Sequence, residues 1–146
     1  MINTDLLKEY FPDVLVYDYY IFVEKNIVDV ISFLKTKNYV DFDVLSQIIA
    51  ADCTDFVQLT YRLYSTENNE FLNVVTKVKD EAASVTHLYK SAHFDECEIH
   101  DLFGINFVGN EKLERLYMPE DWDGHPLLKS YDQTDERLEW NNDQSL

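Results

Sequence analysis

Apolar and polar side chains alternate twice in the middle of the chain, from Phe56 to Tyr64 and from Phe71 to Val78, around the polar stretch Thr66-Glu67-Asn68-Asn69-Glu70. Period-two alternation predicts two half-buried strands, and the polar stretch joins them as an antiparallel hairpin. Arg62, Lys77 and Lys79 are read as its solvent-facing cations. Val14 to Glu24 is rich in Val, Tyr, Ile and Phe and predicts a further strand, whereas Val44 to Ala51 fits strand or helix equally by pattern. Ile27, Val30, Ile31 and Leu34 recur at helical spacing behind Asn26, a capping residue, in a helix expected to end near Lys37-Asn38. Thr4 to Phe11 reads as a short capped helix closed by Pro12. Ser84 or Thr86 opens a helical region running to Phe103, with a break admitted near Ser91-Ala92. Projected as one helix, it places Leu88, Ala92, Ile99, Leu102 and Phe103 on one side, with Phe94, Cys97, Glu98 and Asp101 off that side. Gly104 is placed to close it in the left-handed conformation. These elements predict an α+β fold: a single two-layer domain over residues 1–131, with a small mixed or antiparallel sheet packed by helices and an extended C-terminal loop region. A short polar tail follows at 132–146, and no repeat or linker marks a second domain.

The chain has 146 residues, 46% of them hydrophobic, enough for one core. Its 28 acidic and 12 basic residues give a formal charge of −16, which argues against nucleic acid or anionic lipid as a partner and favours a cationic protein surface. Cys53 and Cys97 cannot supply the four thiolates of an iron–sulfur cluster, and a buried free thiol is the simplest state for each. The first residues lack a basic stretch followed by an apolar one, so no secretory leader is expected. No apolar run approaches the ~20 residues needed to span a bilayer, so membrane association is expected only through other proteins.

Few side chains suggest chemistry. His93, Glu96 and His100 would share a stripe of an unbroken helix and could serve a metal-dependent enzyme, but they spread over two turns, and a helical flank is the simpler reading. Glu98 and Asp101 form a potential acid–base pair without a pocket motif or nucleophile beside it. Two other readings stand: they meet cations of a partner, or one of them binds the backbone of the following loop or pairs with Arg115. Trp122 is either a docking anchor on a restrained loop or a side chain folded over the core, and His125 is a hydrogen-bonding loop residue.

All three glycines and two of the three prolines fall between Phe94 and Tyr131. Special backbone geometry is concentrated there. Glu96, Glu98, Asp101-Leu102-Phe103-Gly104-Ile105, Phe107, Gly109, Leu113 and Arg115 make up the first half of an ordered motif. Pro119-Glu120-Asp121-Trp122, Gly124-His125-Pro126-Leu127, Lys129 and Tyr131 make up the second. This motif resembles the signature of the C-type subunit family of respiratory-chain NADH dehydrogenase, whose relatives include a subunit of Ech-type energy-converting nickel–iron hydrogenases. Cys97 departs from an Arg of that signature, Asn110-Glu111 from His-Pro, Leu128 from Arg and Ser130 from Asp.

The resemblance implies that Val44 to Ala51 is a short strand followed by a turn at Asp52. It further implies a cofactor-free scaffold subunit, without a catalytic site of its own, on the cytoplasmic side of the cell membrane. There it would pack against a large subunit, of hydrogenase or quinone-site type, and near a small iron–sulfur subunit, reaching membrane subunits indirectly. Any nickel–iron site or iron–sulfur cluster would lie in those partners. The partner-binding residues implied are Glu96, Glu98, Asp101, Arg115, Trp122, His125 and Lys129. The compact chain, Asn110-Glu111 and the short tail favour the hydrogenase branch, with the C-type subunit of respiratory NADH:quinone oxidoreductase as the alternative.

Overall fold

The computed structural model describes residues 4–36, 41–132 and 134. A five-stranded mixed sheet in the order β1-β2-β5-β4-β3 is its frame. The predicted hairpin is its centre: β4 (Val57–Ser65) pairs antiparallel with β5 (Glu70–Val78), with Thr60 opposite Val75. The inward residues of β4, among them Leu59, Tyr61 and Leu63, have no exposed surface, whereas Arg62 and Lys77 face solvent as expected.

Val44–Asp52 resolves the ambiguous segment as a full nine-residue strand, β3, antiparallel to β4. It is longer than the short strand implied, because inward Leu45 and Ile48 both reach the core. The predicted strand Val14 to Glu24 is instead a small hairpin of β1 (Leu15–Val16) and β2 (Tyr20–Phe22). The Tyr17 N–H donates to the Tyr20 carbonyl at 2.9 Å and turns the chain back. β2 then runs parallel to β5, which makes the sheet mixed.

Helices cover one face only. Leu7 of α1 (Thr4–Tyr10), Val30, Ile31 and Leu34 of α2 (Ile27–Lys35), and Ala92 and Ile99 of α3 (Ala92–Phe103) share one apolar cluster with the inward strand residues. Asn26 does precede α2, but in the left-handed conformation (φ 59°) and without a side-chain cap. α2 closes at Lys35 with Thr36 as its cap, and the expected end at Lys37-Asn38 lies outside the described residues. So does most of the 132–146 tail.

The helix expected from Ser84 or Thr86 begins only at Ala92. Ahead of it, β6 (Glu81–Ala83) pairs parallel with β7 (Asn106–Val108), and turns fill the interval. The start of α3 closes the β3 edge: the Ile48 N–H donates to the Asp95 carboxylate at 2.7 Å and the Ser91 hydroxyl to the Leu45 carbonyl at 3.3 Å. A long exposed strand edge invites pairing with other chains, and these contacts remove that hazard.

Leu59→Ala should cost about 2–5 kcal/mol of unfolding free energy, because it empties the centre of a fully buried strand face. A urea titration is the check: the midpoint should fall with the slope unchanged.

Candidate functional site

α3 is less amphipathic than a helix covering a core normally is, because two of its buried side chains are carboxylates. Glu96 and Asp101 both have 0% relative exposure. Both therefore need strong internal partners.

Glu96 accepts hydrogen bonds from the Val85 N–H (2.8 Å), the Ser84 hydroxyl (2.8 Å) and the Asn110 amide (2.9 Å). These bonds tie the segment ahead of α3 and the loop after β7 to the same side chain. Burial raises its pKa, and the three donors only partly oppose the rise. Cys97 beside it is buried, with its thiol also pushed up by burial, and Sγ lies 3.7 Å from the Lys112 carbonyl.

Asp101 gathers the loop that follows. One carboxylate oxygen accepts from Arg115 Nη1 at 2.8 Å, and the other from the N–H groups of Leu116 (3.1 Å), Tyr117 (2.7 Å) and Met118 (3.0 Å). Burial alone would raise its pKa, but the Met118 and Tyr117 N–H groups, Arg115 and Leu116 together outweigh it and hold the carboxyl below the usual Asp range. Arg115 in turn donates through Nη2 to the carbonyls of Trp122 (2.9 Å) and Gly124 (3.1 Å). The planar guanidinium thus bridges the helix end and the Pro119–Pro126 loop with a geometry that a lysine ammonium could not reproduce.

The helix end is fitted as tightly. Gly104 closes α3 at φ 76°, and a Cβ there would lie 2.7 Å from the His125 ring. His125 Nδ1 donates to the Asp101 carbonyl at 2.9 Å, and the Leu127 N–H donates to the Leu102 carbonyl at 3.0 Å. Gly124, at φ 98°, would place a Cβ 2.7 Å from the Tyr131 ring. Further along, the Lys129 N–H donates to the Asp52 carboxylate at 2.7 Å, across a cleft of about 520 Å³.

The sequence-predicted residues therefore separate. Glu96 and Asp101 are saturated inside the chain; Asp101 takes the internal one of its two readings, binding the following loop and pairing with Arg115, and the placement of Asp101 and Cys97 off the core side is corrected by their burial. Arg115 and His125 are half-buried brackets of the loop, and Trp122 is half-buried too. Glu98 and Lys129 stay exposed. Glu98 and Asp101 do not act as a pair, one being outside and the other inside. His93, Glu96 and His100 do not converge: His100 Nδ1 bonds the Ile105 carbonyl, His93 faces Asn110, and no cluster suited to a metal exists among the described residues.

Sequence reasoning missed Phe94 (68% exposed), Tyr117 (66%) and Leu127 (52%), apolar side chains that the module turns outward. No pattern in the sequence announces the exposure of Tyr117, whose N–H is the middle of three successive donors to the Asp101 carboxylate. Among the described residues no helix is long and apolar enough to cross a membrane.

Comparison with known proteins places this module in a family. Residues 21–137 match the family described as "Respiratory-chain NADH dehydrogenase, 30 Kd subunit". The C-type subunit of NADH-quinone oxidoreductase from Trichlorobacter lovleyi is 36% identical over 122 residues, covering 78% of this chain and 74% of that protein. Its counterpart in Roseiflexus sp. is 36% identical over 111 residues, 72% of this chain and 64% of that one. The C/D-type subunit of NADH-quinone oxidoreductase from Phocaeicola vulgatus is 35% identical over 92 residues, and there the match covers only 18% of the relative's length. A chain in the structure of the membrane-bound sulfane sulfur reductase, an archaeal respiratory membrane complex, superposes with a TM-score of 0.73 over 98% of this chain and 96% of that one. At 23% identity that likeness speaks for the fold. The span of the match, which takes in Asp101, Arg115 and the whole restrained loop, makes the chain a member of the 30 kDa subunit family of respiratory-chain NADH dehydrogenase.

Proposed function

We propose that the chain is the C-type subunit of a respiratory NADH:quinone oxidoreductase-like complex, a cofactor-free scaffold that holds electron-transfer subunits in register. The observation that carries this reading is the 36% identity to the Trichlorobacter lovleyi protein across 74% of its length, joined to a module that fixes the loop backbone. The relatives at 36% identity are subunits of NADH-quinone oxidoreductase, which favours this branch over the hydrogenase one. Asn110, which departs from the signature, donates to Glu96, and Cys97 is packed inside, so both departures have a role in the local fold. In this reading a nickel–iron site belongs to the hydrogenase alternative, and any iron–sulfur clusters would lie in neighbouring subunits.

The docking surface of this reading is the outer side of the α3 module, where Phe94, Tyr117, Leu127 and Glu98 surround a backbone already fixed by Asp101 and Arg115. A preorganised loop loses little conformational entropy on binding. A large subunit with cationic side chains suits Glu98 and the acidic chain as a whole.

The decisive experiment removes the chain from its host and assays the membranes. Loss of NADH:quinone reduction with hydrogen evolution untouched is expected; the opposite pattern returns the hydrogenase reading. Tyr117→Ala should leave the free chain folded and weaken its capture by the purified large subunit by about 2 kcal/mol, the scale of an interface hot spot. Glu98→Gln should give a smaller loss that disappears at high salt.

Asp101→Asn should cost about 3–5 kcal/mol, since it leaves Arg115 without its counter-charge in a partly buried site. The pH dependence follows from the lowered folded-state pKa. Stability from Asp101 is fully present above the ordinary Asp value of about 3.9 and is lost as pH falls through the lower folded value. Urea titrations of wild type and variant should therefore converge on acidification.

A further inference from the structure

We propose that the open face of the five-stranded sheet is a second docking surface, taking an apolar, carboxylate-bearing segment of another subunit; this rests on the chain being part of a complex. The helices cover one face of the sheet, and the other carries Phe71 at 55% exposure, Ile49 at 44% and Leu15 at 50%. At the β1 end Tyr17 stacks on Tyr20 with ring centroids 4.6 Å apart, beside Tyr19 at 86% exposure, along a trough of about 630 Å³. Exposed apolar and aromatic side chains gathered on one face in this way mark interaction sites in soluble proteins.

The charge on this face identifies the occupant. The chain holds 28 acidic residues, yet no outward-facing position of the five strands is Asp or Glu. A face kept merely soluble on so acidic a protein would carry some of them. Its charges are Arg62 and Lys77, both positive, and neither makes an ion pair among the described residues. Both lie over aromatic rings, Arg62 4.5 Å from the Phe71 centroid and Lys77 4.6 Å from that of Phe56. Rings hold the two cations low against the apolar surface, where a partner carboxylate would meet them partly desolvated. The surface thus has the opposite sign to the rest of the chain and selects a different neighbour from the cationic one proposed for the α3 module. Strand addition is not the route, because α3 occupies the β3 edge and β1 is only two residues long.

The test uses the complex purified with the full chain carrying Thr60→p-benzoylphenylalanine, a position at the centre of the face. Irradiation should give one dominant cross-link, to a segment of another subunit with Asp or Glu beside apolar residues. The double variant Arg62→Glu, Lys77→Glu should keep the melting temperature of the free chain and lose roughly tenfold or more in incorporation at low salt. Cross-links confined to this chain's own tail or to a second copy, or incorporation of the double variant at the wild-type level, overturn the proposal and leave the proposed function intact. A wild-type chain that co-purifies with no other subunit overturns both.

Discussion

Desolvation of the Asp101 carboxylate is the constraint on which the loop region depends. A charged group without solvent contact costs several kcal/mol unless it is paired and hydrogen-bonded. Here the helix supplies the charge, and the loop supplies an arginine and three successive N–H groups. The loop between Arg115 and Tyr131 contains no strand or helix of its own, so this one side chain does much of the organising that a ladder of backbone bonds does elsewhere. Arg115 extends the organisation two steps outward, to the Trp122 and Gly124 carbonyls. Loss of the carboxylate would undo both layers at once.

Glu96 shows that burial alone does not decide the outcome. It is as deep as Asp101 and has three hydrogen-bonding residues of its own, yet its pKa moves up where that of Asp101 moves down. The difference lies in the partners. A guanidinium and three backbone dipoles outweigh desolvation, whereas one backbone N–H, a hydroxyl and an amide do not. The two carboxylates therefore pull opposite ways with pH. As pH rises above the ordinary Glu range, Glu96 takes stability away because its folded pKa is the higher one, while Asp101 keeps contributing.

The same chemistry explains what is legible in the sequence. The central hairpin can be read to within a residue at its ends, because one face is core and the other open, which imposes alternation along β4 and most of β5. The turn between β1 and β2 cannot, since Tyr17-Asp18-Tyr19-Tyr20 contains neither Gly nor Pro to announce it. The start of α3 is hidden for a different reason. β6 is held by a parallel partner more than twenty residues away, a pairing with no local signal, and inward-facing Glu96 and Asp101 break the apolar stripe that would show which side is buried. The motif itself is readable, but the inward direction of its acids is not, because spacing cannot tell a saturated carboxylate from a free one.

Placement of charge also separates the two surfaces. Carboxylates crowd the chain but are missing from the open sheet face, and those of α3 that enter the core are consumed there. What remains on the outside of α3 is Glu98 among apolar side chains, and what remains on the sheet is Arg62 and Lys77 among aromatics. A scaffold seated between two unlike neighbours, as proposed, would need such a division, because a uniform acidic coat would bind one cationic partner anywhere and fix no orientation. On the proposed reading, specificity of orientation would come from where the acids are absent as much as from where they are present, with α3 and the sheet joined through one apolar core.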